Sequence, residues 1–129
     1  MKKGKSKKIL LVEDDPDILE SVEVTLRMKD YEVATFSQGK GVYDYVRQNR
    51  PDLIVMDVMM PPPDGYEVCR QIKSDLETKK IPIILLSART QKNEIEKGFD
   101  AGADRYIPKP FVNEELIRTV GALLKRGAE

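Results

Sequence analysis

The stretch Ile9-Leu10-Leu11-Val12-Glu13-Asp14-Asp15-Pro16 passes from an uninterrupted apolar run to three acids and then a proline. Four apolar side chains in a row, with no polar alternation, suit a strand covered on both faces by helices. Asp15 followed by Pro16 marks a helix start, because aspartate caps free amides and proline is harmless at the first helical position. Ile18, Leu19, Val22 and Leu26 then share one helical face. Buried strand, acidic turn and amphipathic helix, in that order, open a strand–helix–strand unit.

The same alternation continues outward from this stretch. Leu53 to Met56, Ile81 to Leu86 and Tyr106-Ile107 read as further buried strands, while Tyr31 to Phe36, with Glu32 and Thr35 interspersed, reads as an edge strand. Between them a weaker helical pattern follows Gly39 through Val42 and Val46. A third runs from Asp64-Gly65 through Val68, Cys69, Ile72 and Leu76. The fourth, Gln91 to Asp100, offers only Ile95 and Phe99 as large apolar residues and is expected to be the most loosely held. The fifth, after Asn113 as its cap, carries Leu116, Ile117, Val120, Leu123 and Leu124. Five strands alternating with five helices imply parallel strands, right-handed crossovers and helices on both sheet faces. The fold class is α/β, a three-layer open sandwich.

Composition narrows the function. With 129 residues the chain suits one compact domain: residues 7–126 form it, behind a basic leader (1–6) and before a short tail (127–129). Lysine plus arginine and aspartate plus glutamate each number 22, so no global field draws the chain to nucleic acid or membrane. Lys2, Lys3, Lys5, Lys7 and Lys8 crowd the first eight residues, and a nucleic-acid role for the basic leader is weaker than that of a solvated end. The single cysteine, Cys69, forms no internal disulfide and suits a reducing compartment. No apolar stretch reaches membrane-spanning length, and the expected location is cytoplasmic. Histidine is absent, which excludes Ser-His catalysis, histidine metal sites and phosphohistidine within the chain.

In an open parallel sheet, ligands bind outside the carboxyl ends of the strands. Four of those ends carry polar residues: Glu13-Asp14-Asp15, Asp57, Ser87-Ala88 and Lys109-Pro110. Carboxylates converging on one pocket repel one another unless a cation sits among them. Oxygen-only ligands favour magnesium or manganese over zinc. An aspartate beside such a cation can attack phosphorus to give an acyl phosphate, whose oxygens would need Lys109 and Ser87 as partners. Singly, each of these residues has a plainer explanation as a cap, a turn or a solvated charge. Their joint placement is what argues for chemistry.

Set side by side, Ile9-Leu10-Leu11-Val12-Glu13-Asp14-Asp15, Asp52-Leu53-Ile54-Val55-Met56-Asp57-Val58-Met59-Met60-Pro61 with Asp64-Gly65, Leu86-Ser87-Ala88, Ala101-Gly102-Ala103-Asp104 and Tyr106-Ile107-Pro108-Lys109-Pro110-Phe111 resemble the receiver domains of two-component response regulators. The resemblance spans about residues 7–126. It implies a flavodoxin-like sheet of strand order 2-1-3-4-5, an order for which a chemotaxis receiver is a standard example. It further implies Asp57 as phosphoacceptor, with magnesium (manganese as substitute) held by Asp14, Asp57 and the Met59 main-chain carbonyl, and by Glu13 through water. Glu13 departs from the commoner aspartate, though glutamate is also seen there. Lys109 resembles the family's invariant lysine, followed by a peptide bond usually cis. Ser87 and Tyr106 occupy the switch positions, and Met59 and Arg89 those that tune acyl-phosphate lifetime. Pro61-Pro62-Pro63 replaces a looser, glycine-containing loop and stiffens the turn without removing a ligand.

By the same resemblance the chain is a signalling switch, not an enzyme in its own right, although it assists its own phosphorylation and dephosphorylation. The phosphodonor would be a sensor histidine kinase or phosphotransfer protein. The output partner, or a second copy on activation, would meet the face of helix 4, strand 5 and helix 5. Two other readings compete. A haloacid-dehalogenase-type aspartyl phosphatase normally carries a second aspartate two residues on as general acid, where this chain has Met59. A docking module that is never phosphorylated would have no need of the full set of site residues.

Overall fold

The computed structural model describes residues 6–128; the first five leader residues and Glu129 lie outside it. In chain order the elements are β1 (Lys8–Val12), α1 (Pro16–Met28), β2 (Glu32–Phe36), α2 (Val42–Asn49), β3 (Leu53–Asp57), α3 (Gly65–Ser74), β4 (Ile83–Ser87), α4 (Lys92–Asp100), β5 (Arg105–Pro108) and α5 (Asn113–Ala128). The strands form one sheet in the order β2-β1-β3-β4-β5, every neighbouring pair parallel. Fold class and strand order therefore agree with the expectation.

Why the strand sequences are apolar without a break follows from the two cores. Successive strand residues point to opposite faces. Leu10, Val12, Ile54, Met56, Ile83 and Leu85 pack with Val42, Val46, Val68, Cys69 and Ile72 of α2 and α3. Ile9, Leu11, Leu53, Val55, Ile84 and Leu86 pack with Val22, Leu26, Leu116, Val120 and Leu123 of α1 and α5. Both faces are dry, so both alternate sets must be hydrophobic. A polar residue among Ile9 to Val12, or within β3 or β4 short of the carboxyl end, would be buried unpaired.

The helix starts follow local capping chemistry. The Asp15 carboxylate accepts from the amides of Asp17 and Ile18, with Pro16 leading α1. Asp64 and Glu67 close a reciprocal capping box at α3, each side chain accepting from the other's amide. Two expectations need correction. Leu76 was placed on the apolar face of the third helix, but α3 ends at Ser74 and Leu76 is 80% exposed. Asn113 was read as the cap of the last helix; it is the first residue of α5, and its amide nitrogen instead donates to Ser21 Oγ and Thr25 Oγ1, both 3.0 Å away on α1. In α4 only Gly98 is buried, and Phe99 is half exposed.

Candidate functional site

Strand register builds the site. Val12 pairs with Met56, so the residues immediately beyond, Glu13 and Asp57, emerge side by side. Asp57 pairs with Leu86, one residue before Ser87, and Ser87 pairs with Pro108, one residue before Lys109. The Lys109 amide donates to the Ser87 carbonyl at 2.8 Å. The Lys109–Pro110 bond is cis, as is Pro62–Pro63. Behind Asp57, Gly65 closes against the strand end. A Cβ there would stand 2.5 Å from the Asp57 carbonyl oxygen and 2.7 Å from Val58 Cα, so only glycine lets α3 start this near.

Glu13, Asp57 and Ser87 are buried, whereas Asp14 is exposed at the mouth. One carboxylate oxygen from each of Glu13, Asp14 and Asp57 lies within 4.8 Å of the others. Lys109 Nζ reaches into this group, 3.1 Å from Glu13 Oε1, 3.2 Å from Glu13 Oε2 and 3.2 Å from Asp57 Oδ1. Glu13 Oε2 also accepts the Asp15 amide at 3.1 Å. Glu13 Oε1 faces the ammonium out of line for a hydrogen bond. It is the one buried side-chain oxygen or nitrogen among the described residues with no hydrogen-bond partner.

The electrostatics are unbalanced: three carboxylates share one ammonium. Burial, and then the charge of Glu13, push the Asp57 carboxyl up to about 7 despite the opposing pull of Lys109. Burial alone would lower Lys109, but Glu13 and Asp57 outweigh it and hold the ammonium above its ordinary value. A divalent cation among the carboxylates would relieve both strains. The donors are all oxygen, Asp14 is open to solvent, and an unsatisfied Glu13 oxygen faces the group. That set fits magnesium.

Around this cluster stand the other sequence-flagged residues. Ser87 Oγ accepts the Arg89 amide at 2.9 Å. Met59 is 45% exposed and its amide points at Asp57 Oδ1 from 3.4 Å, while Met59 and Arg89 line one shallow cleft beside Asp57. Tyr106 is half-buried, its hydroxyl donating to the Arg89 carbonyl at 2.7 Å. The geometry thus brings Glu13, Asp14, Asp57 and Lys109 into contact range and sets Ser87, Met59, Arg89 and Tyr106 around them. Sequence reading had passed over Tyr66, whose hydroxyl meets that of Tyr106, and Lys73, whose Nζ lies 3.0 Å from Asp104. Neither has a periodic or motif signal; each is defined by partners distant in the chain.

The family model of the response regulator receiver domain matches residues 9–121. The chain belongs to that family. Among curated relatives of the receiver, the response regulator MprA of Mycobacterium sp. (strain KMS) is 45% identical over 119 residues, which are 92% of this chain and 51% of that protein. The chain therefore spans about half the length of the curated relatives it matches. Among solved structures, the receiver domain of the sensor histidine kinase PA1611 from Pseudomonas aeruginosa PAO1 is 32% identical with a TM-score of 0.86, covering 94% of this chain and 99% of that one. That receiver has a magnesium ion coordinated in its active-site cleft. The chemotaxis protein CheY4 of Vibrio cholerae is 30% identical with a TM-score of 0.86, covering 92% and 99%. The receiver belongs to two-component signalling, and no helix among its described residues is long and apolar enough to cross a membrane.

Proposed function

We propose that this receiver is a phosphorelay switch whose Asp57 takes a phosphoryl group from a phosphohistidine. The donor is a sensor histidine kinase or a phosphotransfer protein, required because the chain has no histidine of its own. One observation carries the reading. Lys109 Nζ stands within 3.2 Å of both Asp57 and Glu13, in a group whose three carboxylates lie within 4.8 Å of each other.

Asp57 Oδ attacks phosphorus in line; the new P–O bond forms as the P–N bond to imidazole breaks, and the electron pair leaves on the histidine nitrogen. Magnesium, or manganese in its place, would be held by Asp14, Asp57 and the Met59 main-chain carbonyl, with Glu13 acting through water. Once bound, it supplies positive charge to the phosphoryl oxygens. Lys109 gives a second cation to the same oxygens and Ser87 a hydroxyl. Met59 and Arg89 flank the route by which water reaches the acyl phosphate, and so set its lifetime; the chain assists its own dephosphorylation.

Residues 7–126 form the acting unit, working in the cytoplasm. Capture of the phosphoryl group by Ser87 lets Tyr106 move, and the face of α4, β5 and α5 is remade for an output domain, an output protein or a second copy. Met59, having no carboxyl group, gives the chain no general acid for phosphatase chemistry at that position.

The test is transfer of labelled phosphoryl from a phosphohistidine donor in the presence of magnesium. Wild type is expected to take an acid-stable, base-labile label that chelator abolishes, and Asp57→Asn to take none. Equal labelling of Asp57→Asn would place the acceptor elsewhere.

A further inference from the structure

Tyr66 is the large polar side chain that the acidic cleft does not explain. It is 2% exposed in the first turn of α3. Its hydroxyl lies 2.9 Å from the Glu94 carbonyl and 3.1 Å from Glu94 Oε1 on α4, and 3.2 Å from the Tyr106 hydroxyl on β5. Tyr106 donates to the Arg89 carbonyl, and the Arg89 amide donates to Ser87 Oγ. Hydrogen bonds and the short Arg89 backbone thus join the cleft rim to α4 in the order Ser87, Arg89, Tyr106, Tyr66, Glu94. The Tyr106 ring rests on Gly98 of α4, where a Cβ would come within 2.7 and 3.0 Å of two ring carbons.

Proton accounting gives Tyr66 its weight. Tyr106 has one hydroxyl proton, committed to Arg89 across 2.7 Å. Among the described residues, Tyr66 therefore holds the one proton that the Glu94 oxygens and the Tyr106 oxygen share. Burial first, then Tyr106 and Glu94, hold its phenol far above the ordinary range, so the donor is not lost to ionisation. Because α4 buries only Gly98, its attachment depends unusually on such polar contacts. The Lys97 ammonium, 5.1 Å from the Tyr66 ring centre, adds a second link.

We infer that Tyr66 is a positioning residue of the switch: its phenol pins Tyr106 in its seat on Gly98 and ties both to the first turn of α4. The fastening itself stands on geometry; only its link to phosphorylation rests on the function proposed above. When the Ser87 hydroxyl is drawn toward a phosphoryl group on Asp57, the Arg89 backbone follows and displaces the carbonyl to which Tyr106 donates. Tyr66, anchored in the capped start of α3, is the fixed end against which Tyr106 and α4 move.

Amide hydrogen exchange across residues 92–98, measured with no phosphoryl mimic present, tests the fastening. Tyr66→Phe is expected to speed exchange there about fivefold, the worth of one net hydrogen bond. Tyr106→Phe speeds it too, and the double variant falls short of the sum of the two single effects, because both lose the contact between the two hydroxyls. Gly98→Ala unseats the ring without touching a hydroxyl and accelerates the same amides. Unchanged exchange in Tyr66→Phe or Gly98→Ala, or single effects that sum in the double variant, overturns the inference. A second arm adds magnesium and beryllium trifluoride to mimic the phosphoryl group. Amide shifts near Asp57 are expected in wild type and Tyr66→Phe alike, with the α4 shifts lost in the variant. Undiminished α4 shifts in Tyr66→Phe also overturn it. Absent shifts near Asp57 in wild type would defeat the phosphoacceptor reading instead, leaving the exchange measurement to decide Tyr66.

Discussion

The Lys109 ammonium lies 3.2 Å from Asp57 Oδ1 although their strands, β5 and β3, are not neighbours. The lysine reaches past the end of β4, where Ser87 and Ala88 are small enough to leave the way open. This single contact explains both the buried position of Asp57 and why its carboxyl still tolerates a nearby Glu13. It also defines what each charge costs when its partner is removed.

Lys109→Met leaves Glu13 and Asp57 facing each other without a cation. The lysine side chain is 16% exposed and that of Glu13 fully buried, so little solvent screens them. In chelator the variant is expected to lose about 2–3 kcal/mol of stability. Magnesium should bind about 3–10-fold more tightly to it than to wild type, because one repelling charge is gone. Thermal unfolding with and without magnesium checks both; equal magnesium affinity in the two proteins would remove Lys109 from the cation's surroundings.

Asp57 gives a pH signature. Its carboxyl is raised in the folded chain from an ordinary value of 3.8 to about 7. The neutral form thus contributes stability that is fully present below the unfolded value and is lost as pH rises through the folded one. Asp57→Asn cannot ionise. In chelator its advantage over wild type should grow from about pH 4 to pH 7, level off above that, and reach on the order of 2 kcal/mol. Magnesium affinity of wild type should climb over the same interval, since burial, Glu13 and Asp14 favour leaving the proton on Asp57, against the pull of Lys109, until the cation displaces it. Denaturant titrations across pH check the first part and calorimetry the second. A flat difference between the two proteins would mean that Asp57 is ionised throughout.

Capping at α3 offers a control away from the charges. Asp64 Oδ1 accepts the Glu67 amide at 2.9 Å and Glu67 Oε1 accepts the Asp64 amide at 2.8 Å. Asp64→Ala removes the half made by the aspartate side chain and keeps the backbone amide that donates to Glu67, at a cost of about 1 kcal/mol. The urea midpoint should fall with its slope unchanged, while magnesium affinity moves less than about twofold. A large loss of affinity would show that the cap also positions the cleft.

How much of this was legible beforehand depended on the range of the interaction. β1, β3 and β4 could be read because both faces of each strand are buried, which forces unbroken apolar runs. The gathering of Glu13, Asp57, Ser87 and Lys109 followed once the sheet was parallel, since every carboxyl end then lies on one rim. Asp64-Gly65-Tyr66-Glu67 carried a readable capping box that the helical pattern alone did not use. Leu76 misled because helical spacing continued past Ser74, where the backbone had already left the helix. Asn113 misled because a residue suited to capping found better partners in Ser21 and Thr25 of α1. Tyr66 and Gly98 had no local signature at all: a phenol and a missing Cβ acquire meaning only when β5 and α4 are laid against α3.

Gly65 separates the demands of the cleft from those of the helix start. Its amide donates to the Val58 carbonyl at 2.9 Å, and its Cα side faces the Asp57 carbonyl and Val58 Cα. A methyl group there meets backbone on both, and backbone cannot turn aside as a side chain can. Gly65→Ala must therefore push α3 outward or bend the end of β3. The stability cost is expected to be about 2–3 kcal/mol, more than that of Asp64→Ala at the preceding residue of the same helix start. The sharper consequence lies in the cleft: Asp57 is carried on the displaced backbone, so magnesium affinity and phosphoryl uptake should fall together, by tenfold or about that. Backbone amide shifts at Asp57 and Val58, compared with those in Asp64→Ala, check the cause. If those shifts match wild type while stability falls, α3 has yielded and β3 has not, and the tight approach of Gly65 serves packing rather than the position of Asp57.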